Sequence, residues 1–284
     1  MKGLQGKKIL VAGGENCLGG LVARRLKELG ASVCSVFDLE HNEKVLGRPE
    51  IILYLDHPEI LQNNMIDGQF LDVHLGGLLK LLRLAGKQGS HFIYASSSAV
   101  YGRQKYLPID EGHPLDPILL YGAVKMAGEC FCRSRSKEEG FFYTILRYGD
   151  IYGPGVRIGE PSSFIEGAIT RKRLDINGAG DQVRSYLFID DAVEATIKAV
   201  ISKPFNQIVN LAGNEYISIW HLANIIKQNY CEKCEIETST NMLLDELECC
   251  VDSVRAKELF NFHPEVDLKT GLFKTYNWFL NQIK

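Results

Sequence analysis

Apolar residues in this chain alternate between short unbroken runs and stretches spaced as one face of a helix. Residues 7–12, Lys-Lys-Ile-Leu-Val-Ala, predict a buried strand that stops at Gly13-Gly14. Leu21, Val22, Leu26 and Leu29 then recur at helical spacing across 19–29, and Gly30 closes that helix. A second apolar and β-branched run over 31–37 stops at Asp38. Runs at 51–55, 91–95 and 144–147 predict further strands, separated by helical patterns over 70–85 and 121–139. Strands alternating with helices predict an α/β chain with a doubly wound parallel sheet of the Rossmann type. After Arg147 the punctuation becomes dense, with Tyr152-Gly-Pro-Gly155, Gly159-Glu-Pro161 and Asn177-Gly-Ala-Gly180, and loops are expected there. A helix over 190–201, a strand over 207–211 and helices over 220–229, 253–260 and 268–283 complete the reading.

Composition narrows what such a chain does. Its 284 residues exceed ordinary single-domain length, so a nucleotide-binding unit with a smaller lobe is expected. A 45% hydrophobic and 24% charged composition is that of a folded globular protein. With 32 Lys and Arg against 35 Asp and Glu, a net charge of -3 and no basic tail, nothing marks a nucleic-acid partner. The first apolar run, 9–12, is too short for a signal peptide or a membrane span, so no membrane partner and a cytoplasmic location are expected. Eight cysteines in a reducing compartment are expected to be free thiols. Cys231-Glu-Lys-Cys234 and the adjacent Cys249-Cys250 are weighed as zinc ligands and set aside, because adjacent cysteines make poor ligands to one ion; no metal is expected.

The candidate chemistry sits at two places. Gly13, Gly14, Asn16, Cys17, Leu18 and Gly19 lie between the first strand and first helix, where backbone amides and the positive helix end meet a pyrophosphate. Asp38, closing the second strand, supplies a carboxylate for an adenosine ribose and repels a 2'-phosphate, so NAD is expected over NADP. Tyr121 and Lys125, four apart in a helical stretch, share one face. A tyrosine that titrates near about 10 becomes a base closer to working pH beside an ammonium and an oxidised nicotinamide. Ser97 follows the strand over 91–95, at the carboxyl end of a parallel strand where open sheets bind ligands.

Together these segments resemble the extended short-chain dehydrogenase/reductases, specifically the NAD-dependent nucleotide-sugar epimerase and dehydratase family. The likeness runs through 9–19, FIYASSSAVYG at 92–102, PIDE at 108–111, YGAVKMAGE at 121–129, LRYGDIYGP at 146–154, GAGDQVRSYLFIDD at 178–191 and 210–222. It implies Ser97, Tyr121 and Lys125 as the catalytic set, with Lys125 also on the cofactor, and Ser97, Asp150 and Arg184 at the substrate, Arg184 on its phosphates. The implied reaction is transient oxidation of a sugar hydroxyl with Tyr121 as base, followed by return of hydride to the opposite face. Ser98 and Ala99 stand where the family's dehydratases carry acids, which leaves epimerisation or keto-sugar reduction. Residues 1–149 with about 186–216 are the expected NAD-binding domain, and about 150–185 with 217–284 the substrate-binding lobe. A homodimer through the helices over 70–85 and 121–139 is also implied.

Several positions depart from the family pattern. Only residues 39–48 separate Asp38 from Pro49, Asn16 replaces a glycine, Asp56 and His57 follow the strand over 51–55, His74 stands at an asparagine, and Asp150 replaces an asparagine beside the diphosphate. These changes keep open a rival from another class, a nucleotide-sensing or scaffold protein that retains the fold without turnover.

Overall fold

The computed structural model describes residues 3–14, 17–36, 48–55, 68–239 and 249–283, the side chains of 68–73 and 283 excepted. Asn16, Asp38, Asp56 and His57 therefore lie outside the described residues.

Among the described residues, six parallel strands form the central sheet: β1 (Lys8–Ala12), β2 (Ser32–Val36), β3 (Ile51–Tyr54), β4 (His91–Ser97), β5 (Tyr143–Tyr148) and β9 (Gln207–Leu211), in the order β2-β1-β3-β4-β5-β9. The alternation of side chains along these strands divides the core in two. Ile9, Val11, Ile51, Leu53, Ile93 and Ala95 face α1 (Cys17–Glu28) and α5 (Ile189–Ser202). Leu10, Ala12, Ile52, Tyr54, Phe92 and Tyr94 face α2 (Gly68–Gln88) and α3 (Leu120–Glu139). Both faces are covered, which is why β3 and β4 read as unbroken apolar runs. Each fully buried Leu, Ile or Phe contributes about 1.5–3 kcal/mol, so this double layer is the main source of stability.

Strand order reverses at β1: the chain steps outward to β2, then crosses back to β3 on the other side. That reversal opens a crevice above the carboxyl ends of β1 and β3, the ordinary ligand position in an open α/β sheet.

The stretch after Arg147, expected to be loops, holds regular structure: β6 (Asp150–Tyr152), α4 (Glu160–Thr170), β7 (Arg173–Asn177) and β8 (Val183–Phe188). Pro161 sits in the first turn of α4, where its missing N–H costs nothing, so a residue read as a breaker begins a helix. β7 buries Leu174 and Ile176 and exposes Arg173 and Asn177, an alternation that the surrounding Gly and Pro obscured. β8 pairs parallel with β6 and antiparallel with β10 (Tyr216–Ser218), and β7 pairs parallel with β11 (Glu235–Ser239). α4 packs on α6 (Ile219–Tyr230) and α8 (Leu268–Ile283), while α7 (Val254–Phe260) packs on α5.

One cysteine expectation is corrected. Cys231 and Cys234 form a disulfide, because the turn after α6, closed by the Cys234 amide donating to the Cys231 carbonyl at 2.8 Å, brings their Cα atoms to 5.4 Å. Cys17, Cys34, Cys130, Cys132, Cys249 and Cys250 form no disulfide. Among the described residues no group of three or more His, Cys, Asp or Glu could hold a metal ion.

Candidate active site

The glycine turn stands where the crevice opens. β1 ends at Ala12, Gly13 takes φ +85°, a conformation that favours glycine, and α1 begins at Cys17. A Cβ at Gly14 would lie 2.9 Å from the Ser35 Cβ, so the turn is pressed against β2. The N-terminal turn of α1, at Leu18 and Gly19, presents the positive helix end to the crevice. The Cys17 thiol donates to the Pro154 carbonyl at 3.5 Å, which brings the loop after β6 alongside this turn. The described part of the turn thus fits the pyrophosphate of a dinucleotide.

Tyr121 lies in the first turn of α3 and Lys125 one turn on. The buried Lys125 ammonium donates to the Ala95 carbonyl at 2.9 Å and sits 5.7 Å from the centroid of the Tyr121 ring and 5.4 Å from that of Tyr94. Tyr54, His74, Tyr94, Tyr121 and Lys125 line a small crevice here. Ser97 ends β4 and caps a 3-10 turn, Ser98–Val100, its Oγ accepting from the Ala99 amide at 3.2 Å. A Cβ at Gly122 would lie 2.3 Å from the Ala99 carbonyl oxygen, so only glycine lets the start of α3 abut that turn. By this contact the fold brings Ser97, Tyr121 and Lys125 to one edge.

A buried polar network fixes that edge, and its members were not singled out from the sequence. Glu129 continues the spacing of four from Tyr121 and Lys125, on the face of α3 that meets the sheet. Its carboxylate accepts from Ser96 Oγ at 2.5 Å and from Arg147 Nε and Nη2 at 2.8 and 2.6 Å. Arg147 Nη1 donates to Tyr101 Oη at 2.9 Å, and that hydroxyl donates to Asn210 Oδ1 at 2.6 Å. The Asn210 backbone N–H in turn donates to Glu111 Oε1 at 2.7 Å. The chain of bonds ties α3, β4, β5 and β9 together directly beneath Ser97. Burial raises the Tyr101 hydroxyl well above its ordinary value despite the opposing pull of Arg147, so it stays protonated. Glu129 and Arg147 were visible as an acid and a base within apolar-patterned segments, the one available signal of a buried pair.

Asp150 and Arg184 are also brought together. Asp150 begins β6, in register with Tyr186 of β8, and Arg184 lies two residues before Tyr186 on the same face. Arg184 Nε is 3.8 Å from Asp150 Oδ2. Burial raises the Asp150 carboxyl, opposed by Arg184 and reinforced by Glu160. Burial pulls Arg184 down, but Asp150 and Glu160 more than offset it and hold it above its ordinary value.

The parallel sheet with its reversed order, a glycine turn at the reversal point and a Tyr/Lys/Ser edge beside it define a Rossmann-type nucleotide-binding enzyme fold. A family model described as the NAD dependent epimerase/dehydratase family matches residues 9–212, and the chain belongs to that family. It is 31% identical over 227 residues to a putative UDP-glucose 4-epimerase of Methanocaldococcus jannaschii, covering 78% of this chain and 72% of that protein. It is 30% identical over 216 residues to UDP-glucuronic acid decarboxylase 1 of Xenopus tropicalis, covering 73% of this chain but only about half, 51%, of that relative. Among solved structures, UDP-glucose 4-epimerase of Thermotoga maritima with UDP-glucose superposes with a TM-score of 0.89 at 27% identity, covering 98% of this chain and all of the other.

Proposed function

We propose that the chain is an NAD-dependent nucleotide-sugar epimerase, acting at a hydroxyl-bearing sugar carbon, with C4 of a UDP-hexose as the first candidate. The observation that carries this reading is the shared edge of Ser97, Tyr121 and Lys125 beside the glycine turn, in a chain of the epimerase family. The Gly13, Gly14, Cys17, Leu18 and Gly19 turn would hold the pyrophosphate, with Asn16 and Asp38 completing the cofactor set. NAD, when bound, supplies the acceptor and later the donor of the two electrons removed from the sugar carbon. Tyr121 takes the hydroxyl proton as the carbon is oxidised and returns it when the carbon is reduced. The Lys125 ammonium favours the phenolate electrostatically, and Ser97 orients the reacting oxygen. Arg184 meets the substrate phosphates beside Asp150.

In this reading residues 1–149 and about 186–216 carry the cofactor, and about 150–185 with 217–284 carry the sugar nucleotide. Two copies pair through α2 and α3, where Leu79 and Leu120 are exposed while Leu78, Leu81 and Leu82 fill the chain's own core. The location is cytoplasmic; among the described residues no helix is long and apolar enough to cross a membrane. The test is to incubate purified protein with NAD and UDP-glucose and follow the C4 epimer by NMR. Appearance of the epimer supports the reading, and a protein that neither binds nor converts any nucleotide sugar overturns it in favour of a scaffold.

A further inference from the structure

Asp150 follows β5 at the carboxyl end where the reacting edge also lies. Ser97 of β4 is in register with Tyr148 of β5, and Asp150 follows only two residues later at the same carboxyl end. A second link runs through Cys249, whose thiol donates to Ser98 Oγ at 3.0 Å and whose backbone bridges to Arg184. The charges gathered here are unbalanced. Asp150 lies 3.8 Å from Arg184 Nε, which is buried and makes no hydrogen bond. Glu160, at the start of α4, accepts from Tyr186 Oη at 3.3 Å. Tyr186 and Arg184 from β8, Glu160 from α4 and Cys249 from the segment after residue 248 are the titratable groups that face Asp150. Burial holds the Tyr186 hydroxyl well above its ordinary value and pushes the Cys249 thiol up to about 12, so both are neutral. Two carboxylates then face one guanidinium.

We propose that Asp150 sets the charge selectivity of the sugar subsite: with Glu160 beside it, it excludes glycosyl groups that carry their own carboxylate and admits uncharged or ammonium-bearing ones. The inference rests on the nucleotide-sugar reading above. Arg184, shared between Asp150 and the substrate phosphates, has no charge left for an additional anion on the sugar. A uronosyl carboxylate would enter beside an existing carboxylate, and two like charges in close proximity repel. A hexosyl group brings hydroxyls instead, which donate to Asp150 at no such cost.

Isothermal titration of the full chain with NAD present, using UDP, UDP-glucose and UDP-glucuronic acid, tests this. At about pH 8 the wild type is expected to bind UDP-glucose at least tenfold more tightly than UDP-glucuronic acid, about 1.4 kcal/mol. Asp150→Asn, close in shape, is expected to narrow that ratio by roughly fivefold or more, chiefly by gaining affinity for UDP-glucuronic acid. Glu160→Gln narrows it in the same direction, and so does lowering the pH of the wild type, since protonation removes the Asp150 charge. These last two carry the test if Asp150→Asn does not fold. A wild type that binds UDP-glucuronic acid as well as UDP-glucose, or a ratio unmoved by Asp150→Asn and by pH, overturns the proposal. Absence of any response, to UDP as well as to both sugars, instead overturns the nucleotide-sugar reading itself.

Discussion

Replacing Glu129 with Gln removes one charge from the network beneath the site and leaves its shape. In the native protein the Glu129 and Arg147 side chains are 2% and 3% exposed, and two bonds of 2.8 and 2.6 Å join them. The substitution leaves the buried Arg147 guanidinium without a counter-charge, with the remaining Gln oxygen and Tyr101 Oη as neutral acceptors, and turns its other acceptor into an amide N–H. Breaking a buried pair on one side costs about 3–5 kcal/mol, mostly as desolvation of the orphaned charge. Unfolding entropy near 2.1 cal/mol/K per residue gives this chain about 0.6 kcal/mol per degree, so Tm should fall by about 5–8 °C. Differential scanning calorimetry measures it directly. Replacing both residues with Met should recover much of the loss, because no charge is then left unpaired. A Glu129→Gln protein melting within about 2 °C of the wild type would refute the claim that this pair is closed to water.

Other outcomes follow from the same structure. Tyr121→Phe should lower kcat by about 10²–10⁴-fold with nucleotide binding retained by calorimetry, and an active Phe variant would refute Tyr121 as the base. Gly122→Ala drives a methyl to 2.3 Å from a backbone oxygen that has no rotamer to escape into. It should cost about 1–3 kcal/mol and shift Tyr121, reducing kcat more than KM, as steady-state kinetics would record. Burial, with a smaller contribution from Lys203, lowers the His91 pKa to about 4. The Thr144 hydroxyl donates to the Pro204 carbonyl and so accepts from His91 Nε2, which leaves Nδ1 without a proton or a partner. Between about pH 6.5 and 4 the unfolded chain takes up a proton that the folded one refuses, so stability falls with pH by up to about 3 kcal/mol. Urea titrations should show that slope in the wild type and a shallower one in His91→Gln.

The sequence by itself determined the sheet, because β1, β3, β4 and β5 are buried on both faces and their runs of apolar residues leave no other reading. It also determined which helices flank them, through spacing at 3.6 residues, and which residue types stand at the carboxyl edge. Local pattern failed where tertiary contact overrules it. Pro161 starts a helix instead of ending one, three-residue β6 is a strand only because β8 lies beside it, and Cys231 meets Cys234 because the chain turns after α6. Pairing across the fold was likewise invisible. Glu129 and Arg147 are eighteen residues apart, and Asp150 and Arg184 are thirty-four apart. Only the packing of α3 on the sheet, and of β6 on β8, decides that each acid meets its base. Spacing along a chain fixes which face a side chain takes, whereas the partner it finds depends on long-range contacts that no local rule encodes. For the Tyr121, Lys125 and Ser97 edge, spacing supplied the first two, and the close approach permitted at Gly122 supplied the third.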